Sequence, residues 1–450
     1  MDLSGKKVLV VGLARTGDAT ARFCLGRGAK VTVADKSVSK ALEERAEALR
    51  SIGVAVVLGP HEDALFLAAD IIVLSPGVPH TLPAILAAKA RGALVMGEVE
   101  LAYRFLKAPL VAVSGTNGKT TTTTLLGRML EPAFPKVFVG GNIGDPLIGQ
   151  VDKASEKDVV AAEISSFQLD TTEAFHARAA LLLNVTDDHQ DRYPDMAAYA
   201  ASKERLFLNQ TEDDFAIVNG NDGFIRRMLP RLRATKLVFA GRRQGEAGAD
   251  IAPERIVFSM PDGAAWTLSL SAMRLSGAHN RENVAAAALG AYVMGVPVSD
   301  IQAALDEFSG LPHRLEFVTE IRGVRYYDDS KGTNTDAVQR ALESFSEPVV
   351  LIMGGRDKDS DFTVLRDAVR EKVRLLVLAG EARHVIAKAL EGAARQVLTA
   401  TVPEAVRIAA DEAKPGWVVL LSPGCASFDA YSSYAERGRD FCRAVKALDG

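Results

Sequence analysis

The sequence predicts an α/β protein of three domains built on mostly parallel sheets. Short β-branched runs alternate with Ala- and Leu-rich helical stretches along the whole chain, which is typical of strand–helix–strand units. Many of the strand candidates are continuously apolar, as expected for strands that helices cover on both faces. The length of 450 residues suits about three domains of ordinary size.

The individual elements follow from this alternation. Strands are predicted at residues 8–11, 30–34, 71–74, 110–114, 159–164, 180–184, 324–327, 349–353, 375–378 and 417–421. Helices are predicted at residues 18–27, 40–52, 120–130, 197–208, 284–294, 301–307, 335–342 and 435–448. Gly and Pro punctuate the chain near residues 107–109 and 309–314, which predicts domains at 1–107, 108–311 and 312–450.

The charge balance excludes a broadly basic nucleic-acid binder. Lys and Arg number 53 against 57 Asp and Glu, and the 6% of aromatic residues is too low for a base-stacking platform. The three cysteines have no CxxC spacing, so neither a disulfide framework nor structural zinc is expected. The N-terminus lacks a signal-peptide pattern, and the longest uncharged run, 283–299, contains Gly and Pro as a buried helix can. We therefore expect a cytoplasmic protein.

A turn near the N-terminus resembles a dinucleotide-binding fingerprint. Gly12 and Gly17 occupy two of its positions, and Asp35 ends the next strand. Ala14 stands where the fingerprint has its middle glycine, and a methyl group there obstructs the close approach of a pyrophosphate. The turn could serve packing alone, or its helix N-terminus could bind a phosphate-bearing ligand. We favour binding of a nucleotide diphosphate without hydride transfer.

A second glycine-rich turn joins an apolar strand to a Thr- and Leu-rich helix. Its residues are Gly115, Thr116, Asn117, Gly118, Lys119, Thr120 and Thr121. In such a turn the backbone N–H groups cradle phosphate oxygens, the lysine supplies a positive charge, and a threonine hydroxyl reaches Mg²⁺. Val113 stands where the strict P-loop motif requires glycine. The prediction of a phosphate-binding turn therefore depends on the strand before it and the helix after it. The alternative is a glycine turn with an exposed lysine.

Polar side chains end two further apolar runs. Glu163 closes the run at 159–164, where a buried charge is costly unless a cation pairs with it. Mg²⁺ prefers hard oxygen ligands, so Glu163 is predicted to bind the metal. Asp187, Asp188 and His189 follow the run at 180–184. The two aspartates could equally be solvated loop acids, and the histidine a structural or capping residue.

Together these segments resemble the Mur ligase family, the ATP-dependent amide ligases that build the peptide of peptidoglycan. The resemblance rests on residues 115–121, 140–144, 163–169, 184–189 and 311–314, and it extends over essentially the whole chain. Residues 165–169, 189–194 and 329–334 are most similar to the family member that adds D-glutamate.

The resemblance implies a Rossmann-like N-terminal domain that binds a UDP-sugar, a central P-loop-type ATPase domain, and a Rossmann-like C-terminal domain that binds the amino acid. It implies ATP, UDP-N-acetylmuramoyl-L-alanine and D-glutamate as substrates, an acyl-phosphate intermediate and two Mg²⁺ sites. A monomer with no nucleic-acid or membrane partner is expected.

By position, the resemblance also implies site residues. For ATP they are Gly115, Thr116, Asn117, Gly118, Lys119, Thr120, Thr121, Asn142, Asn280, Arg314 and Asp329. For metal they are Thr120, Glu163, His189 and Lys203, the last as a carbamate. For the UDP-sugar they are Arg15, Thr16, Asp35 and Asn142, and for D-glutamate Thr333, Lys358, Ser427, Phe428 and Tyr434.

The chemistry calls for these residue types. A carboxylate is a poor electrophile, and phosphorylation by ATP converts it into an acyl phosphate with a good leaving group. Lys119 and Arg314 would neutralise charge during that transfer. His189 is a candidate base for the incoming amine, or it is only a metal ligand. Lys203 lies in a helical stretch where an exposed lysine is ordinary, whereas a carbamate there would offer metal-binding oxygens.

Other functions fit parts of the sequence. A sister ligase could add L-glutamate or a diamino acid, and a folate-type ligase could add glutamate to a different acceptor. A nucleotide-dependent dehydrogenase would use the first turn, but Ala14 and the second nucleotide site oppose it. A non-catalytic ATP switch would not need Glu163, His189 and Lys203 together.

Overall fold

The computed structural model describes residues 1–188, 192–275, 277–357 and 360–448. These residues form three α/β units on sheets of five, nine and six strands, so the predicted fold class is confirmed. In the described ranges, every helix is too short or too polar to span a lipid bilayer.

The N-terminal sheet is entirely parallel, in the order β3-β2-β1-β4-β5. Its strands are β1 (Lys7–Val11), β2 (Lys30–Asp35), β3 (Ala55–Leu58), β4 (Ile71–Leu74) and β5 (Leu94–Gly97). Its helices are α1 (Arg15–Gly26), α2 (Lys40–Arg50), α3 (Asp63–Leu67), α4 (Pro83–Ala90) and α5 (Glu98–Tyr103). The strand order reverses at β1, and in such sheets ligands bind outside the carboxyl ends of the strands at this point.

The central sheet has the order β14-β13-β12-β11-β10-β9-β6-β8-β7 and is parallel from β7 to β12. Its strands are β6 (Leu110–Ser114), β7 (Val137–Gly141), β8 (Val159–Glu163), β9 (Ala179–Leu182), β10 (Phe215–Asn219), β11 (Thr235–Phe239), β12 (Gly248–Ile251), β13 (Arg255–Ser259) and β14 (Ala265–Ser269). Its helices are α6 (Lys119–Leu130), α7 (Ser166–Leu169), α8 (Met196–Glu204), α9 (Gly223–Met228), α10 (Ala278–Val293) and α11 (Val298–Glu307), with 3₁₀ turns at Leu147–Gly149, Arg205–Phe207 and Leu229–Arg231.

The C-terminal sheet has the order β15-β16-β20-β17-β18-β19, and only β15 runs antiparallel to its neighbour. Its strands are β15 (Glu316–Ile321), β16 (Val324–Asp328), β17 (Val349–Gly354), β18 (Val373–Ala379), β19 (Arg395–Leu398) and β20 (Val418–Leu421). Its helices are α12 (Thr335–Glu343), α13 (Arg366–Lys372), α14 (Arg383–Ala389), α15 (Val402–Glu412) and α16 (Tyr434–Lys446), with a 3₁₀ turn at Phe362–Leu365.

Two elements differ from the sequence prediction for a physical reason. The strand predicted at 180–184 ends at Leu182, because the next residues leave the sheet to contact the glycine-rich turn. The helix predicted at 284–294 begins at Ala278. Its first turns are polar on the side that lines a cavity, so they lack the apolar periodicity that the prediction used.

Candidate active site

The glycine-rich turn follows a fully buried strand, β6, and leads into α6. Gly118 adopts a left-handed φ of +83°, and a Cβ atom there would lie 2.4 Å from Asn283 Oδ1. A side chain is therefore excluded by both conformation and space. The turn, residues 115–118, is called the phosphate loop below.

The side chain of Asn184 holds the phosphate loop in shape. Its Oδ1 accepts hydrogen bonds from the backbone N–H groups of Thr116 and Asn117 at 3.0 and 2.8 Å, and its Nδ2 donates to Asn117 O at 3.1 Å. Asn184 was not among the predicted site residues. The polar end of an apolar strand beside the loop was the available signal.

Lys119 begins α6 and folds back over the loop. Its Nζ donates to the carbonyl oxygens of Gly115 at 2.8 Å and Thr116 at 2.7 Å. Burial lowers the pKa of this amine, and the charge of Arg314 lowers it too, whereas the carboxylates of Glu163 and Asp188 raise it. A cation and two acidic groups thus lie around one loop.

Glu163 ends β8 and is 2% exposed. Thr120 Oγ1 donates to its Oε2 at 2.7 Å, and Asn142 Nδ2 donates to its Oε1 at 2.7 Å. A buried carboxylate and a hydroxyl beside a phosphate loop are the hard oxygen donors that Mg²⁺ prefers, so this pair fits the metal. Three of the predicted residues therefore lie together.

Lys203, on α8, reaches the same loop and is 1% exposed. Its Nζ donates to Gly115 O at 2.9 Å and stands 4.5 Å from the centre of the Tyr199 ring. Burial lowers its pKa well below the usual value, and the nearby Lys119 lowers it further. Lys203 is therefore a buried amine that gives up its proton readily, unlike the exposed lysine that is ordinary for a helical stretch.

A cavity between the central and C-terminal sheets adjoins the phosphate loop. It is lined by Asn280, Arg314 and Asp329 together with loop residues Asn117 and Gly118. Burial lowers the pKa of the Arg314 guanidinium. Burial raises the pKa of Asp329 to about 7, although hydrogen bonds from Ser422 and Leu315 act to lower it. The structure thus brings the three predicted nucleotide-binding residues to one cavity.

The backbone around Arg314 is unusual. His313 and Leu315 on either side have φ values of +65° and +49°, which are uncommon for residues with a Cβ atom. His313 Nδ1 lies 2.6 Å from Asp328 Oδ2, and this hydrogen bond raises the pKa of His313. His313 and Asp328 together hold the segment that carries Arg314.

The described residues predicted for D-glutamate belong to the C-terminal unit. Thr333 precedes α12, Ser427 is 2% exposed, and Phe428 is 63% exposed. Tyr434 begins α16, and Lys331 Nζ lies 3.9 Å from the centre of its ring. Lys331, which was not among the predicted site residues, therefore lies beside Tyr434.

Three of the residues predicted for the UDP-sugar lie at the carboxyl edge of the N-terminal sheet, and the fourth, Asn142, follows β7 of the central sheet. Arg15 forms an ion pair with Asp145, which follows β7 of the central sheet. Asp35 accepts backbone hydrogen bonds from Leu13 at 2.8 Å and Ser37 at 2.9 Å. Thr16 is in the first turn of α1. A Cβ atom at Gly17 would lie 1.8 Å from a carbonyl oxygen, so that glycine serves close packing.

Two predicted site residues, His189 and Lys358, lie outside the described residues.

Comparison with known proteins covers nearly the whole chain. Family profiles match residues 6–97 (Mur ligase MurD-like, N-terminal domain), 113–291 (Mur ligase middle domain) and 313–425 (Mur ligase, glutamate ligase domain). The chain is 54% identical over 448 residues to the UDP-N-acetylmuramoylalanine--D-glutamate ligase of Desulfatibacillum aliphaticivorans, covering 100% of both chains. It is 48% identical over 448 residues to the protein of that name from Desulfosudis oleivorans, covering 100% of this chain and 98% of the relative.

A solved structure supports the fold. The pseudomurein peptide ligase type C from Methanothermus fervidus is similar with a TM-score of 0.62 at 17% identity, over 98% of this chain and 100% of that chain. The matched family profiles and the full-length relatives agree with this architecture and with the resemblance drawn from the motifs. The chain belongs to the Mur ligase family.

Proposed function

We propose that the protein is an ATP-dependent amide ligase that joins D-glutamate to UDP-N-acetylmuramoyl-L-alanine. The observation that carries the proposal is the set of full-length relatives bearing that ligase name, at 54% and 48% identity. The geometry agrees with it. The phosphate loop and Arg314 line one cavity, and the helix that follows the loop places Thr120 beside the buried carboxylate of Glu163.

The reaction has two steps. A carboxylate oxygen of the acceptor attacks the γ-phosphorus of ATP, the bond to the β,γ-bridging oxygen breaks, and an acyl phosphate and ADP result. The neutral amine of glutamate then attacks the acyl carbon, loses a proton and expels inorganic phosphate. Lys119 and Arg314 would neutralise the charge that develops on the transferred phosphoryl group.

Metal binding is proposed for Thr120 and Glu163, whose side-chain oxygens lie 2.7 Å apart beside the loop. Bound Mg²⁺ supplies charge neutralisation and alignment of phosphate oxygens. A second ion is proposed at His189 and a carbamate on Lys203. The lowered pKa of Lys203 supports that modification, since CO₂ adds to a neutral amine with release of a proton.

The remaining predicted residues complete the proposal. Asn142, Asn280 and Asp329 would bind ATP with the phosphate loop, and Arg15, Thr16 and Asp35 the UDP-sugar. Thr333, Lys358, Ser427, Phe428 and Tyr434 would bind D-glutamate. We propose domains at 1–107, 108–311 and 312–450 for these three roles, and a monomer that acts in the cytoplasm.

The test is phosphate release from ATP with UDP-N-acetylmuramoyl-L-alanine as acceptor, comparing D-glutamate, L-glutamate, L-lysine and L-alanine. Release that depends on both acceptor and D-glutamate is expected. Release with L-glutamate or L-lysine instead would identify a sister ligase, and activity only with a folate acceptor would identify a folate-type ligase. ATP binding without release under any condition would indicate a switch.

A further inference from the structure

Hydrogen bonds between side chains connect the region of the phosphate loop with the C-terminal unit. Asn117 Nδ2 donates to Oδ2 of Asp336 at 2.5 Å, and Asp336 lies in the first turn of α12. A neighbouring bond runs from Nδ2 of Asn334, the N-cap of that helix, to Oδ2 of Asp188 at 3.2 Å. Helix α12 is therefore fastened to the loop at its N-terminal end.

The carboxylate of Asp336 is paired with a cation one turn further along α12. Arg340 Nε donates to Asp336 Oδ2 at 3.0 Å, and Arg340 Nη1 lies 4.0 Å from Glu282 Oε2 on α10. Glu282 also accepts a hydrogen bond from Asn219 at 3.2 Å. The side chains of Asp336 and Arg340 are only 21% and 23% exposed, so solvent screens this pair less than a surface pair. We call Asn117, Asp336, Arg340 and Glu282 the α12 clasp.

The position of the clasp creates an electrostatic problem. Asp336 contacts Asn117 of the loop that we propose binds the nucleotide phosphates, so its negative charge would repel an incoming nucleotide. Arg340 offsets that charge, and it lines the same cavity as Asn280 and Arg314. A cation paired with Asp336 reduces the repulsion that an incoming nucleotide meets at the loop.

We propose that Asp336 and Arg340 are positioning residues that dock the C-terminal unit on the phosphate loop without excluding nucleotide. Asp336 supplies the hydrogen bond that fixes α12 against the loop. Arg340 cancels the charge of Asp336 so that the phosphates can bind. The inference rests on the proposed function only for its turnover measurement.

The two residues should then have opposite effects on nucleotide binding. Arg340→Gln leaves Asp336 uncompensated and should weaken binding of Mg²⁺–adenylyl imidodiphosphate about tenfold in calorimetry. Asp336→Ala removes the repelling charge and should bind this analogue at least as tightly as wild type. The double variant should return to within about threefold of wild type, because the two changes are coupled.

Turnover should separate docking from binding. Asp336→Ala loses the contact to Asn117, so phosphate release at saturating substrates should fall about tenfold although nucleotide binding is intact. Asp336→Asn keeps an acceptor oxygen and should recover most of that loss. General damage to the fold would weaken binding and turnover together.

Two further variants control the experiment. Arg340→Lys keeps the positive charge and should bind the analogue within about threefold of wild type, even if Arg340→Gln folds poorly. Arg370→Gln breaks a surface pair on α13, with Asp367 96% exposed, and should change neither measurement.

Three outcomes would overturn the proposal. They are wild-type affinity of Arg340→Gln for the analogue, a double variant that binds it no more tightly than Arg340→Gln, and full turnover of Asp336→Ala. Analogue binding needs neither glutamate nor UDP-sugar, so failure of the proposed function would leave the binding results interpretable.

Discussion

The two junctions between the three sheets are built in opposite ways. At the first, one buried apolar cluster contains residues of both the N-terminal and central units, for example Val10 and Leu101 with Ala112 and Leu182. At the second, within the described residues, the apolar clusters of the C-terminal sheet draw only on residues from 315 onward. A polar-lined cavity adjoins them there. The first junction is a shared core, and the second leaves space for substrates.

The charged groups show the same contrast. Glu100 has no exposed surface and accepts hydrogen bonds from the backbone N–H groups of Glu173, Ala174 and Phe175 at 2.9 to 3.1 Å, and from Arg104 Nε at 2.6 Å. At the second junction the connections are single side-chain bonds such as Asn117 to Asp336. We therefore expect changes at the first junction to affect stability and changes at the second to affect activity.

The largest effect is expected at Lys119. Lys119→Ala removes a positive charge from the developing phosphoryl group, which is worth several kcal/mol in a buried site, so turnover should fall at least a hundredfold. The melting temperature should stay within a few degrees, because among the described residues the lysine donates its hydrogen bonds to its own loop. Phosphate release and a thermal melt check this, and turnover above a tenth of wild type would contradict it.

The next largest effect is expected at Lys203, whose Nζ donates to Gly115 O of the same loop. If its amine carries a carbamate that binds Mg²⁺, Lys203→Ala should be nearly inactive at neutral pH and partly rescued by acetate, which can occupy the vacated space and restore an oxygen ligand. Activity with and without acetate or methylamine measures this. Rescue by methylamine alone, or full activity without rescue, would exclude a carbamate.

Glu100 tests the first junction. Glu100→Ala would leave the buried N–H groups of residues 173–175 without their acceptor, which should lower the free energy of unfolding by about 3 kcal/mol. Denaturant unfolding measures the loss, and kcat of the folded fraction should be unchanged. Glu173→Ala is the matched control, because this side chain is 76% exposed and contacts the same Arg104; its effect should be below about 1 kcal/mol. Equal losses of stability in the two variants would contradict a stabilising role of the buried Glu100 carboxylate at the first junction.

A smaller, pH-dependent effect is expected at Glu98, which accepts a 2.6 Å hydrogen bond from Ile148 N across the first junction. Burial raises the pKa of Glu98 to about 7, against backbone hydrogen bonds that lower it. The folded state therefore holds this proton more tightly than the unfolded chain, where the pKa is about 4.3. Its contribution is complete below about pH 4 and is lost as the pH rises through 7, by on the order of 2 kcal/mol.

Glu98→Gln keeps a carbonyl acceptor and cannot ionise. Its stability relative to wild type should therefore be higher at pH 8 than at pH 5, and unfolding at both pH values measures the difference. A stability difference that does not change with pH would show that Glu98 does not titrate in this range.

The sequence predicted the fold and the glycine-rich turn at residues 115–118 because both are encoded locally. The strands at 71–74 and 110–114 are observed at those residues, since continuous apolar runs bounded by polar residues leave little ambiguity. The glycines of the loop mark their own conformation, as Gly118 shows.

The site residues that the sequence did not predict contact partners that are far away in the sequence. Asn184 is 67 residues from Asn117, and Asp336 is 219 residues from it. Neither contact leaves a spacing pattern, because each depends on how strands and helices of different units meet. Glu100 was missed for the same reason, since a glutamate in a short helix ordinarily faces solvent.

The shared core of the first junction also bears on synthesis of the protein. That cluster runs from Leu3 to Val238, so the first unit cannot complete its core when residue 107 has been made. At translation rates of about 5–20 residues per second, the interval until residue 238 is on the order of ten seconds. During this time the apolar faces of α1 and α5 stay exposed on the nascent chain, where chaperones can bind them. The C-terminal unit completes its own core from later residues and should fold independently as it leaves the ribosome.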